Sequence, residues 1–201
     1  MPQQNRVDPW GVLHAVPQHG TRMGNRGILH DDDGAIVRRW ANKTWVTCVL
    51  DFKQRTSPGI FRPGHYSKLF FFDEATAFAA GHRPCAECQR GRYREFKARW
   101  AEANGFAEKV TAREMDHVLH TERVGPHRSV SDAVPLSLPP GTMYEQDGAA
   151  ILVGHDDRRW KWSFDGYEPV ETTGPEPMRL LTPSSVVRTF AQGFVPRDLP
   201  A

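Results

Sequence analysis

Hydrophobic positions fall in short, unevenly spaced runs along this chain, and they predict more strands than helices. Trp45-Val46-Thr47-Cys48-Val49-Leu50-Asp51-Phe52 is β-branched and aromatic, which predicts a strand, and Leu69-Phe70-Phe71-Phe72 predicts a second, buried one. Asp73 then caps a short helix, Glu74 to Ala80, which Gly81 ends. A second helix is expected from about Arg92 to Ala103, stopped by Asn104-Gly105, with Tyr93, Phe96 and Trp100 as its buried stripe. Thr111 and Glu114 have the spacing of a capping box, so a third helix should follow from about Ala112 to Glu122. Met115, Val118 and Leu119 form its inward face.

The flanking segments are less regular. Residues 1–27 are rich in Gly, Gln, Arg and Asn and look like an arm or irregular lead-in, while Asp31-Asp32-Asp33-Gly34 between apolar pairs suggests a hairpin. Gln54 to Gly64 is a Pro/Gly loop. From Pro135 the texture changes to turns and short β-like runs. Asp147-Gly148 signals a hairpin, and Trp160-Lys161-Trp162-Ser163-Phe164 alternates as a half-buried strand does. Thr182-Pro183-Ser184 starts a last helix with Gly193 beyond its end. The expected class is α+β: a small metal-stabilised α/β domain over 1–110, then 111–201 as a helix and a β-rich part with a terminal helix. The second can pack on the first as one unit.

Composition narrows the chemistry. Lys and Arg total 26 against 24 Asp and Glu, a formal charge of +2, so any case for nucleic acid must come from a local cluster. No apolar run approaches the ~18 residues of a membrane span, and the first residues lack a signal peptide's apolar core. The expectation is a soluble cytoplasmic protein, where metal binding suits Cys85-Ala-Glu-Cys88 better than a disulfide. Zinc prefers a tetrahedron of ligands, and two cysteines separated by two residues let both sulfurs converge on it. The competing reading is a pair of small buried residues at a helix start.

Phe72-Asp-Glu-Ala-Thr-Ala-Phe-Ala-Ala-Gly-His-Arg-Pro-Cys-Ala-Glu-Cys88 resembles the zinc-binding domain of the Ada family of methylated-DNA repair and response proteins. The resemblance covers residues 44 to 100. It implies a zinc site that also takes a cysteine at the end of a strand, and Cys48 occupies that place. In the family a further cysteine completes the site. Here Gly59-Ile60-Phe61-Arg62-Pro63-Gly64-His65 resembles that segment with one residue fewer and His65 in the last slot. The implied ligands are Cys48, Cys85, Cys88 and His65, with His82 as the rival fourth ligand and an open position as a third option. The family's strand cysteine accepts a methyl group from a DNA phosphotriester. Replacing one of four thiolates by histidine removes negative charge from such a site, which disfavours that reaction at Cys48.

Two further clusters bear on function. Arg90, Arg92, Arg94, Lys97 and Arg99 follow the cysteine pair directly and could contact phosphates, or they could be a solvated helix face. On the third helix Asp116, His120 and Arg123 line up at i, i+4, i+7 with Glu122 nearby, a set able to do acid–base work or to form an exposed helical charge network. Asp116-His117 after a cysteine pair resembles a His-Asn-His nuclease only weakly, since the remaining asparagine and histidine are lacking. A zinc deaminase is excluded because no His-x-Glu precedes Pro84. Three readings stay open: a zinc-held module that binds DNA or other nucleic acid, a nucleic-acid-acting enzyme using Asp116, His120, Glu122 and Arg123, and a zinc-stabilised structural protein.

Overall fold

The computed structural model describes residues 1–53, 59–106, 109–124, 130–131, 138–171 and 178–200. Its first sheet is built from β1 (Arg6–Val7), β2 (Leu13–His14), β3 (Arg22–Asn25), β4 (Val46–Cys48), β5 (Leu69–Phe71) and, after α1 (Glu74–Ala79), β6 (Arg83–Pro84). In space these run β2-β1-β5-β3-β4-β6, with β1–β5 and β4–β6 parallel and the other pairs antiparallel. Then come α2 (Arg90–Ala103) and α3 (Ala112–Val124). The second sheet comprises β7 (Val130–Ser131), β8 (Met143–Gln146), β9 (Ala149–Val153), β10 (Arg159–Ser163), β11 (Gly166–Val170) and β12 (Met178–Leu180), followed by α4 (Ser184–Ala191). It is antiparallel throughout in the order β11-β10-β9-β8-β12-β7. The class is α+β.

All six residues of α1 are buried, and their small size has a packing reason. Ala77 and Ala80 meet Val7, Leu69 and Phe71 of the first sheet. Ala75 and Ala79 meet Met143, Leu152 and Trp162 of the second. Phe78 enters a helical core with Phe96, Trp100, Met115, Leu119 and Phe190. Large side chains on more than one face would hold these layers apart. Two of the three clusters take residues from both sides of the 110–111 division.

Polar anchors fix α1 in place. The Asp73 carboxylate accepts from Thr76 N at 2.7 Å, the N-cap expected from the sequence, and also from the Tyr167 hydroxyl of β11 at 2.7 Å. Glu74, fully buried, pairs with Arg92 at 2.8 Å and accepts from Arg197 N at 2.7 Å. Gly81 then reverses the chain with φ +80°, and a Cβ there would lie 2.0 Å from Arg123 Cδ.

Several expectations need correction. The lead-in over 1–27 is no loose arm: it supplies β1 to β3, and Asn5 and Val7 are fully buried. Two-residue strands are too short to carry a period, which hides them from pattern reading. At 31–34 the turn forms, with the Asp31 carboxylate accepting from Asp33 N and Ala35 N, but one bridge, His30 to Ile36, replaces a hairpin ladder. The strand from Trp45 stops at Cys48, and Leu50 is exposed. The loop expected from Gln54 is described only from Gly59, the residues before it lying outside the described set.

Candidate metal centre

The centre is assembled by strand register. β4 and β6 pair in parallel with Val46 opposite Arg83 and Thr47 opposite Pro84. Continuing one residue sets Cys48 beside Cys85, and Cys85 N donates to Thr47 O at 2.9 Å. The turn into α2 returns Cys88 to the same point, with Gln89 N on Cys85 O at 3.1 Å and the Gln89 amide donating to Thr47 O at 2.8 Å. Glu87 N also points at Cys85 Sγ from 3.4 Å, a weak donor suited to a thiolate. The sulfurs of Cys48, Cys85 and Cys88 all lie within 4.8 Å of one another, half-buried, and could hold a metal ion.

The electrostatics of the trio fit a cation. Hydrogen bonds from Cys48 and then Cys88 hold the Cys85 thiol far below its ordinary range, making it the thiolate of the group. Cys48 is pushed far up, because it donates to Cys85 and Cys88 and is buried besides. Three sulfurs this close cannot all ionise without a compensating positive charge. A bound soft divalent ion reverses that, deprotonating every coordinating thiol.

No histidine joins the three sulfurs among the described residues. His65 is exposed, its backbone N–H on Arg62 O at 3.0 Å. His82 is buried and accepts from Arg26 Nε at 3.3 Å, its ring packed 4.5 Å from Phe71 and 5.3 Å from Trp45. Burial, then Arg26 and Arg123, hold His82 well below the ordinary histidine range, so it is neutral. The neighbour that sequence reading missed is Tyr66, beside His65. Its phenol is raised first by burial and then by the charges of Cys48, Cys85 and Cys88.

No family model, curated protein or solved structure matches this chain.

The basic cluster on α2 divides in two. Arg92 turns inward: besides Glu74 it lies over the Phe194 ring at 3.7 Å, with its side chain 8 % exposed. Arg99 donates to Gln192 O and pairs with Glu95 at 3.8 Å. Arg90 and Arg94 are exposed and Lys97 half-exposed, so the outward charge is smaller than the sequence suggested.

The polar stripe on α3 is buried, not an exposed network. The Asp116 carboxylate takes both Arg83 Nε at 2.7 Å and an Arg83 terminal nitrogen at 2.8 Å. Glu122 caps α4 instead, accepting from Ser185 N at 3.0 Å and Ser185 Oγ at 2.5 Å. His120 lies edge-on to Trp40 at 4.5 Å and Trp45 at 5.8 Å, its protonation disfavoured by burial and then by Arg123. Arg123 lies over the Trp45 ring at 4.4 Å. Two of the four acid–base candidates are thus committed to structural bonds, while His120 and Arg123 both contact the Trp45 ring.

Proposed function

We propose that this is a zinc-binding protein whose metal-held knuckle presents the outer face of α2 to nucleic acid. The convergence of Cys48, Cys85 and Cys88 from two chain segments carries the reading. Cys48, Cys85 and Cys88 would hold the ion, which would lock β4 to the start of α2 and leave a fourth position for a small ligand. Arg90, Arg94 and Lys97 stand on the exposed side of the helix that starts there. The likeness of residues 44 to 100 to the Ada zinc domain supports a role in DNA repair or processing for that face.

The test is titration of the wild type and an Arg94→Glu/Lys97→Glu variant with short single-stranded and duplex DNA across a salt series. Binding should weaken as salt rises, by a slope of about 0.7–0.9 per phosphate contacted, and the variant should lose it with zinc content unchanged. A wild type that binds neither DNA at low salt removes nucleic acid from the reading and leaves a zinc-stabilised protein.

A further inference from the structure

A second site, lined by no cysteine, sits where Trp40 to Trp45 lead into β4. Trp10, Trp40 and Trp45 together with Arg26, Arg39, Arg123 and Arg179 line a cavity of about 310 Å³. That volume is at the small end of the ~300–1,000 Å³ typical of ligand pockets. No carboxylate is among the described lining residues. Glu145 accepts from Trp10 Nε1 at 2.7 Å and pairs with Arg179 at 3.7 Å.

Arg123 is the under-satisfied group among the described residues of this cavity. Arg26 and Arg123 both lie against the Trp45 ring, at 4.3 and 4.4 Å, and both are buried. Arg123 is 8 % exposed; its Nε donates to Leu119 O at 2.7 Å, but neither terminal nitrogen has a partner among the described residues. The neighbouring carboxylates are engaged elsewhere, Asp116 by Arg83 and Glu122 by Ser185. A buried guanidinium without its hydrogen bonds is costly, and an oxyanion supplies both acceptors and counter-charge. Arg123 and the exposed Arg39 supply two guanidiniums for a phosphate monoester, and Trp40, 40 % exposed, offers indole surface for a planar ring.

We propose that this cavity binds a nucleotide, its phosphate monoester held by Arg39 and Arg123 and its base packed on Trp40. The ligand is a free mononucleotide or the 5′-phosphorylated end of a strand; the chemistry recognised is the same. The site is independent of the α2 face, and Gly81 supports it from outside the lining, because only a residue without Cβ lets Arg123 pass so close.

The experiment follows tryptophan fluorescence and calorimetry while the full chain is titrated with adenosine 5′-monophosphate, adenosine, inorganic phosphate, and single strands bearing a 5′-phosphate or a 5′-hydroxyl. Adenosine monophosphate should bind about 10- to 100-fold tighter than adenosine, the scale of charge-assisted bonds. Arg39→Glu, at an exposed position, should weaken it by a similar factor. Arg123→Met should abolish it without lowering the thermal midpoint, because the change removes an under-compensated buried charge. Arg94→Glu/Lys97→Glu should leave it intact, which separates this site from the α2 face. Preference for the 5′-phosphorylated strand over its 5′-hydroxyl counterpart identifies strand ends as the ligand; binding of the mononucleotide alone identifies a free nucleotide. Absence of binding by every phosphate compound overturns the proposal. So does equal binding of adenosine and its monophosphate, equal binding of inorganic phosphate and the mononucleotide, or indifference to both arginine variants.

Discussion

Replacing Asp116 by alanine tests whether α3 secures the cysteine knuckle or serves as a catalytic surface. The Arg83–Asp116 pair is doubly bonded and almost dry, with side chains 5 % and 3 % exposed. Arg83 keeps Pro84 O at 3.1 Å and the Tyr93 ring at 5.1 Å after the change, but no carboxylate. Breaking a buried pair by removing one partner costs about 3–5 kcal/mol. For a chain of this length each kcal/mol moves the thermal midpoint by about 2–4 °C, so Asp116→Ala should melt about 6–20 °C early. Asp116→Asn should fall between the two, keeping an acceptor but not the charge. An apolar pair, Arg83→Met with Asp116→Leu, should recover most of the loss, because neither partner is then left stranded. Calorimetric melts of the four proteins suffice. Because Arg83 lies two residues before Cys85, Asp116→Ala should also release metal to a chelator faster than wild type. A variant melting within about 2 °C of wild type would refute the reasoning and return Asp116 to the list of free acid–base groups.

Two further outcomes follow from buried groups. Gly81→Ala should destabilise by at least about 1–2 kcal/mol from its left-handed backbone alone, plus the displacement of Arg123; an unchanged urea midpoint would count against the close approach. His82 is held neutral by burial and by Arg26 and Arg123, so its stabilising effect is complete above the unfolded value near 6.5 and is lost as pH falls below it, by up to about 1.4 kcal/mol per pH unit. Urea unfolding between pH 7 and 5 should therefore steepen toward acid in wild type and flatten in His82→Gln, and equal slopes would contradict the assignment.

The legible parts of this molecule were those encoded by neighbours in sequence. Asp73 and Gly81 bracket α1, Thr111 and Glu114 open α3, with Thr111 N on the Glu114 carboxylate at 2.7 Å, and Asp147-Gly148 turns β8 into β9. The cysteine pair was legible because its turn is local, and Cys48 lay on a segment whose residues already predicted a strand. Long-range pairing was not. Nothing in Arg6-Val7 announces a parallel partner in Phe70-Phe71, and nothing in Arg92 distinguishes a buried partner of Glu74 from an exposed phosphate contact. Asp116, His120 and Arg123 read as a solvated stripe because helical periodicity reveals that a face is polar, not that another layer covers it. The tryptophan–arginine cavity draws on Trp10, Arg26, Trp45, Arg123 and Arg179, positions too scattered to form a motif.

Zinc content bears most directly on the central claim. Native mass spectrometry with elemental analysis of the purified chain should find about one zinc per molecule, the stoichiometry of a single cysteine site. Cys85→Ser should lose it, whereas His65→Ala and His82→Gln should keep it, because neither ring reaches the three sulfurs. A wild type that is folded and metal-free, or a His65→Ala variant that sheds its zinc, would contradict the account.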